Sequence, residues 1–216
     1  MGRQALRRGR FITFEGGEGA GKSTQLRRLV EKLQAAGITA LATREPGGAP
    51  GAEEIRKLLV EGEPERWDPV SEALLMVAAR RVHLTATIGP ALARGEWVVS
   101  DRFADSTIAY QGSAGGVKRE ELEALHRLIA GDFAPDLTLI LDLPVAEGLA
   151  RAKLRSGSET RFERKDRAFH EKLRQGFLEI ARREPQRCVV IDAVQGVDAV
   201  HEAVLAAVRE RLKVKI

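Results

Sequence analysis

The chain has 216 residues, 44% hydrophobic and 31% charged, with 35 Lys and Arg against 31 Asp and Glu for a formal net charge of +4. That composition is ordinary for one soluble globular domain spanning 1–216; the slight positive excess favours anionic ligands, and with aromatics at 5% and no basic-aromatic interleaving, nucleic acid is not indicated as a partner. No run approaches the ~18 uninterrupted apolar residues of a membrane span, and the basic start over 1–9 lacks the apolar segment of a secretory signal and reads as a solvated tail, so a cytoplasmic location without a membrane partner is expected.

Short apolar runs rich in β-branched residues recur at Phe11–Glu15, Ile38–Thr43, Trp97–Ser100, Leu137–Leu143 and Cys188–Asp192, and helix-like segments separate them. That alternation predicts an α/β fold with a parallel sheet covered by helices. In chain order, a first helix starts in a glycine loop and carries Leu26, Leu29, Val30 and Leu33 on one face before Gly37 stops it. A second fits Ala52 to Val60, and a long one fits Ser71 to Ala93, kinked or broken at Gly89-Pro90. Later helices fit Arg119 to Ala130, Val145 to about Leu154, Asp166 to Arg183 and Val197 to Leu212. The single cysteine, Cys188, lies in an apolar strand run, which predicts a buried thiol and rules out an intrachain disulfide. Gly and Pro cluster over 44–51 and, with Ser, over 155–160, two loops placed to face a ligand crevice.

The loop after the first strand reads Gly16-Gly17-Glu18-Gly19-Ala20-Gly21-Lys22-Ser23-Thr24 and satisfies Gly-x-x-x-x-Gly-Lys-Ser between a strand and a helix. Its backbone N–H groups can converge on phosphate oxygens, Lys22 can neutralise charge at a transferred phosphoryl, and the Ser23 hydroxyl can ligate Mg²⁺. A nucleoside triphosphate with Mg²⁺ follows. Glu18 is the odd member, a carboxylate in a loop built for anions. After the third strand, Asp101 can hold Mg²⁺ or its water, and Arg102 beside it can fork onto a phosphate.

Together, FEGGEGAGKST, TREPGG, SDRFADSTIAYQG, GDFAPDLTLILDLP and the late VIDA resemble the thymidylate kinase family over nearly the full length. The resemblance implies a phosphate-loop, doubly wound five-stranded parallel sheet with a short mobile lid, a homodimer, and transfer of the γ-phosphoryl of ATP to dTMP for DNA-precursor synthesis. It also implies roles: Arg56 and Arg102 on the dTMP phosphate, Arg80 on the thymine edge, Ser106 and Gln111 around the base, Tyr110 against the sugar, and Glu18 toward the 3′-OH. Met76 stands where the family usually stacks an aromatic ring on thymine, and a thioether can also contact a π-face. Arg44 and Glu45 are expected to organise their loop, and His83 and His126 to be packing or surface residues.

Between 151 and 167 seven basic residues meet three acidic ones, a charge run that the resemblance makes the lid. The family places a catalytic arginine either in the phosphate loop or in the lid. The residue after Glu18 is Gly19, so the lid pattern applies, with Arg155 as the catalytic candidate and Arg151, Lys153 and Arg161 as supporting or alternative donors. Two other readings stay open: a kinase for a different nucleoside monophosphate, and a nucleotide-dependent switch, against which the set Arg56, Arg80 and Arg102 argues.

Overall fold

The computed structural model describes residues 8–154 and 161–216. Strands β1 (Phe11–Glu15), β2 (Ala40–Arg44), β3 (Trp97–Asp101), β4 (Leu137–Asp142) and β5 (Cys188–Asp192) form one parallel sheet in the order β2-β3-β1-β4-β5. Burial explains the order. All five residues of β1 and the first five of β4 are buried, as strands covered on both faces require, whereas β2 and β5 mix buried with exposed positions and take the edges.

Successive side chains of β1 point to opposite faces. Ile12 and Phe14 join Val99, Leu139 and Leu141 beneath α1 (Lys22–Ala35) and α9 (Val197–Leu212). Phe11 packs on the other face with Val98, Ile88, Leu92 and Phe103, while Ile140 meets Tyr110 and, from α8 (Arg167–Arg183), Leu173 and Phe177. Each such side chain contributes ~1.5–3 kcal/mol of transfer free energy on burial. Asp166 lies just outside α8 as its cap, accepting from Phe169 N at 2.7 Å. Cys188 is buried as expected, and burial pushes its thiol up to about 12.

After α2 (Pro50–Val60), the long helix expected to be kinked or broken at Gly89-Pro90 stays helical through that pair. Helix α3 (Pro69–His83) runs into a π-helical turn (Leu84–Ile88) and on into α4 (Gly89–Ala93), all in helical backbone. Pro90 cannot donate to a carbonyl four residues back, and the wider turn absorbs the mismatch as Gly89 N–H reaches the Leu84 carbonyl. A Cβ on Gly89 would stand 2.9 Å from that oxygen.

A second element escaped the sequence reading: α5 (Ala104–Thr107) continues as a π-helical segment (Ile108–Ala114). The remaining helices are α6 (Arg119–Ala130) and α7 (Val145–Lys153). Of the basic tail, residues 1–7 lie outside the described residues; Gly9 belongs to the fold, buried, its N–H donating to Leu92 O at 3.0 Å.

Candidate active site

The chain reaches one edge of the sheet through β2 and the other through β5, so the loops after β1 and β3 leave at the point where strand order reverses, where α/β sheets bind ligands. There they line a cavity of about 630 Å³. Its wall includes Glu18, Gly19, Ala20, Gly21, Lys22, Ser23 and Thr24 from the first loop and start of α1, Asp101 and Arg102 from the end of β3, and Ser106, Tyr110 and Gln111 beyond. Arg56 of α2, Met76 and Arg80 of α3 and Arg151 of α7 are the other expected residues that line it. Gly16 and Gly17 form the root of the loop and receive Lys22 Nζ on their carbonyls at 3.1 and 2.7 Å. Pro46, Val60, Phe103, Thr107, Phe162 and Glu163 also line the cavity and were not singled out from sequence.

Helix α1 begins at Gly21, in left-handed backbone, with no side-chain cap. Its first N–H groups are therefore donors available to an anion at the positive end of the helix dipole. Ser23 Oγ donates to Asp101 Oδ2 at 2.6 Å, which places two hard oxygen groups side by side at the mouth of the loop. Among the described residues no three His, Cys, Asp or Glu cluster as a metal cage. Two oxygens beside a phosphate cradle suit Mg²⁺, which keeps its waters and shares phosphate oxygens.

Glu18 is answered by cations. Arg102 Nη2 donates to its Oε1 at 3.0 Å, and the Tyr110 hydroxyl donates to the same oxygen. Burial alone would raise the Glu18 pKa, but Arg102, Lys22 and the Tyr110 hydroxyl outweigh it and bring it down to about 2. Burial and the Arg102 charge lower Lys22 to about 8. Arg102 itself has φ 72, and its Nη1 donates to Gly16 O at 3.0 Å and Ser106 Oγ at 3.2 Å. Its guanidinium also stacks 4.9 Å from the Tyr110 ring centre. Arg56 Nη1 donates to Pro46 O at 2.7 Å, and Arg44 pairs with Glu53, so the TREPGG loop is held by charged side chains of α2.

Arg80 is 2% exposed and largely committed to the protein: Nε donates to Glu45 Oε2 at 2.7 Å, and Nη2 to Phe103 O and Thr107 Oγ1. Glu45 also meets His83 Nδ1, whose ring is fully buried against Thr43 Oγ1. His126 is half-buried, with Nε2 on Phe133 O.

The lid expectations divide. Arg155 lies outside the described residues. Arg151 faces the cavity from α7. Arg161 needs correction as a donor to a migrating phosphoryl: it is fully buried, and its guanidinium is spent on the carbonyls of Leu59, Glu63 and Pro64 and on Glu72 Oε1 at 2.5 Å. It fastens this part of the expected lid segment to the α2–α3 connection, a contact across 89 residues that local charge patterning cannot reveal.

Glu15 was missed as well. It shares a β1 face with Phe11 and Thr13, is fully buried, and accepts from Phe103 N at 2.7 Å and Ser106 Oγ at 2.6 Å. It thereby holds the turn in which Arg102 sits. Burial, reinforced by nearby Asp105, pushes its pKa from 4.5 up to about 8 despite the Ser106 bond and the Arg102 charge. Between those values the folded state binds the extra proton, so the contribution of Glu15 to stability is full below 4.5 and is lost as pH rises toward 8. Glu15→Gln keeps the shape without the charge. Denaturant melts at intervals across that pH range are expected to show the variant gaining on the wild type as pH rises; a gap that stays flat would contradict the assignment.

A phosphate loop with an Mg²⁺-competent Ser-Asp pair, facing a second pocket rich in guanidinium groups, defines the class of nucleoside monophosphate kinases. The family model described as thymidylate kinase matches residues 14–204. The thymidylate kinase of Caulobacter vibrioides is 58% identical over 207 residues, covering 96% of this chain and 99% of the relative, and that of Nitrobacter hamburgensis is 54% identical, covering 97% and 92%. The crystal structure of thymidylate kinase from Ehrlichia chaffeensis superposes with a TM-score of 0.74 at 34% identity, covering 93% of this chain and 99% of that one. The chain belongs to the thymidylate kinase family.

Proposed function

We propose that the protein transfers the γ-phosphoryl group of ATP to dTMP, giving ADP and dTDP. The observation that carries this reading is the single cavity in which Lys22, Ser23 and Asp101 face Arg56, Arg102 and Tyr110. The loop N–H groups and Lys22 hold the donor phosphates. Ser23 and Asp101 would hold Mg²⁺, which when bound neutralises charge on the donor phosphate oxygens. Arg56 and Arg102 hold the dTMP phosphate in line, offsetting repulsion between two anionic substrates. A dTMP phosphate oxygen then attacks the γ-phosphorus as the bond to the departing ADP oxygen breaks. The nucleophile is already an oxyanion, so no general base is required, and the chain's task is positioning and charge neutralisation.

Around the base we assign Met76, Arg80, Ser106 and Gln111; Tyr110 lies against the deoxyribose, and Glu18, held by Arg102 and Tyr110, turns toward its 3′-OH. Purified protein with Mg-ATP is expected to release ADP on adding dTMP, faster than with dUMP, dCMP or dGMP. Slow hydrolysis indifferent to every acceptor would instead point to a nucleotide switch. Arg155 is the proposed lid donor. Its replacement by alanine is expected to lower kcat with little change in the KM for dTMP, as for a group engaged only in the transition state; unchanged turnover would pass the role to Arg151.

A homodimer belongs to the same reading, and exposed Leu58 of α2, Val70 and Leu74 of α3 and Leu128 of α6 supply apolar surface for it. Among the described residues no helix is long and apolar enough to cross a membrane. A cytoplasmic location accompanies the substrates ATP and dTMP.

A further inference from the structure

The side chain of Gln111 lines the cavity yet is 1% exposed, and its two ends differ. Nε2 donates to Glu72 Oε2 at 3.0 Å, whereas Oε1 is buried with no hydrogen-bond partner. Glu72 lies in the first turn of α3, 6% exposed, and does not reach the cavity wall. Its other oxygen accepts from Arg161 Nη2 at 2.5 Å, and Arg161 is anchored by three backbone carbonyls.

A carboxylate accepts and does not donate, while an amide can be turned to do either. Set between a fixed guanidinium and Gln111, Glu72 holds the amide nitrogen toward itself and leaves the carbonyl oxygen as the unpaired end of a side chain in the cavity wall. The π-helical segment that carries Gln111 closes its turns over five residues, which lets Tyr110 and Gln111 share the cavity-facing side with Ser106. A buried acceptor with no partner calls for a donor on the ligand.

We propose that Glu72 is a specificity-determining positioning residue: by locking the Gln111 amide it presents an acceptor to the base, selecting pyrimidines whose N3 carries a proton, thymine and uracil, over cytosine, whose N3 is a bare lone pair. The inference rests on the reading that the base of a nucleoside monophosphate enters this cavity. Cytosine leaves two acceptors face to face, and the loss of one such bond in a buried site corresponds to about a 10- to 100-fold change in selectivity.

The test is the ratio of kcat/KM for dTMP to that for dCMP, read by ADP release, in wild type, Glu72→Gln, Gln111→Met and the double variant. Glu72→Gln frees the amide to turn and is expected to lower the ratio at least tenfold. Gln111→Met is expected to lower it to a similar level, and adding Glu72→Gln to it should leave the ratio within twofold. Glu72→Asp, which keeps a charge for Arg161 but withdraws it from Gln111, serves as the test if Glu72→Gln does not fold. Equal losses with both acceptors, or a further fall in the Gln111→Met background, would make Glu72 a stability residue only and overturn the proposal. A wild-type protein with no preference for dTMP over dCMP overturns the substrate reading, and this inference with it.

Discussion

Replacing Arg102 with alanine is expected to lower kcat/KM for dTMP by roughly a thousandfold, the range measured when a phosphoryl-transfer site or an oxyanion site loses a main donor. Arg102 does more than supply a charge. Its guanidinium spans Glu18 Oε1, the Gly16 carbonyl and Ser106 Oγ while lying on the Tyr110 ring, so it joins the phosphate loop to the helix that lines the second pocket. Alanine would leave the Glu18 carboxylate, half its counter-charge gone, in a half-buried position, at a cost of ~1–3 kcal/mol in stability. Arg102→Lys separates the two effects. An ammonium keeps the charge and three donors, but gathered on one nitrogen they cannot reach acceptors spaced for both Nη1 and Nη2, and an intermediate loss is expected. Steady-state kinetics with both substrates varied, alongside thermal melts, would check this; a fall below tenfold for Arg102→Ala would remove Arg102 from the reaction centre.

The second large effect concerns Gly19. Placing an arginine there, in imitation of the family pattern that carries one in the phosphate loop, is expected to destabilise the protein by ~3 kcal/mol or more and to lower Tm by ~6–12 °C, rather than to add a catalytic group. Gly19 has φ +69, and a Cβ built on it would stand 2.0 Å from the Gly148 carbonyl oxygen. Helix α7 answers in kind, since a Cβ on Gly148 would stand 2.4 Å from Glu18 O. Two backbones touch here, and neither is the flexible end of a side chain. The obstacle is the first carbon, so Gly19→Ala is expected to cost nearly as much as Gly19→Arg. A stable, active Gly19→Arg protein would show that the loop can move away from α7. The contact also supports seeking the remaining transition-state charge in the lid, from Arg155 or Arg151.

The parts of the fold and site legible in the sequence are those whose physics is local. Strands β1 and β5 and helices α6 and α9 fall at the expected residues, because alternation, helical period and a stopping Gly131 act within a few positions. The phosphate loop is legible for the same reason: its glycines, Lys22 and Ser23 act through backbone shape and the start of one helix. At Gly89-Pro90, where a kink or break is expected, the helix is not ended, because a π-helical turn, which no periodicity announces, absorbs the proline.

What the sequence by itself determined was the class of sheet, the position of the phosphate loop and, through motifs spread from Phe14 to Ala193, the family. Only the tertiary structure decided that Glu15 supports the Arg102 turn, that Arg161 is a staple and no longer a catalytic candidate, and that Glu72 stands behind Gln111. These pairs are separated by 88, 89 and 39 residues. A buried carboxylate or guanidinium takes its role from whatever partner the fold brings against it in a low-dielectric interior, and that partner is set by packing, not by neighbours along the chain.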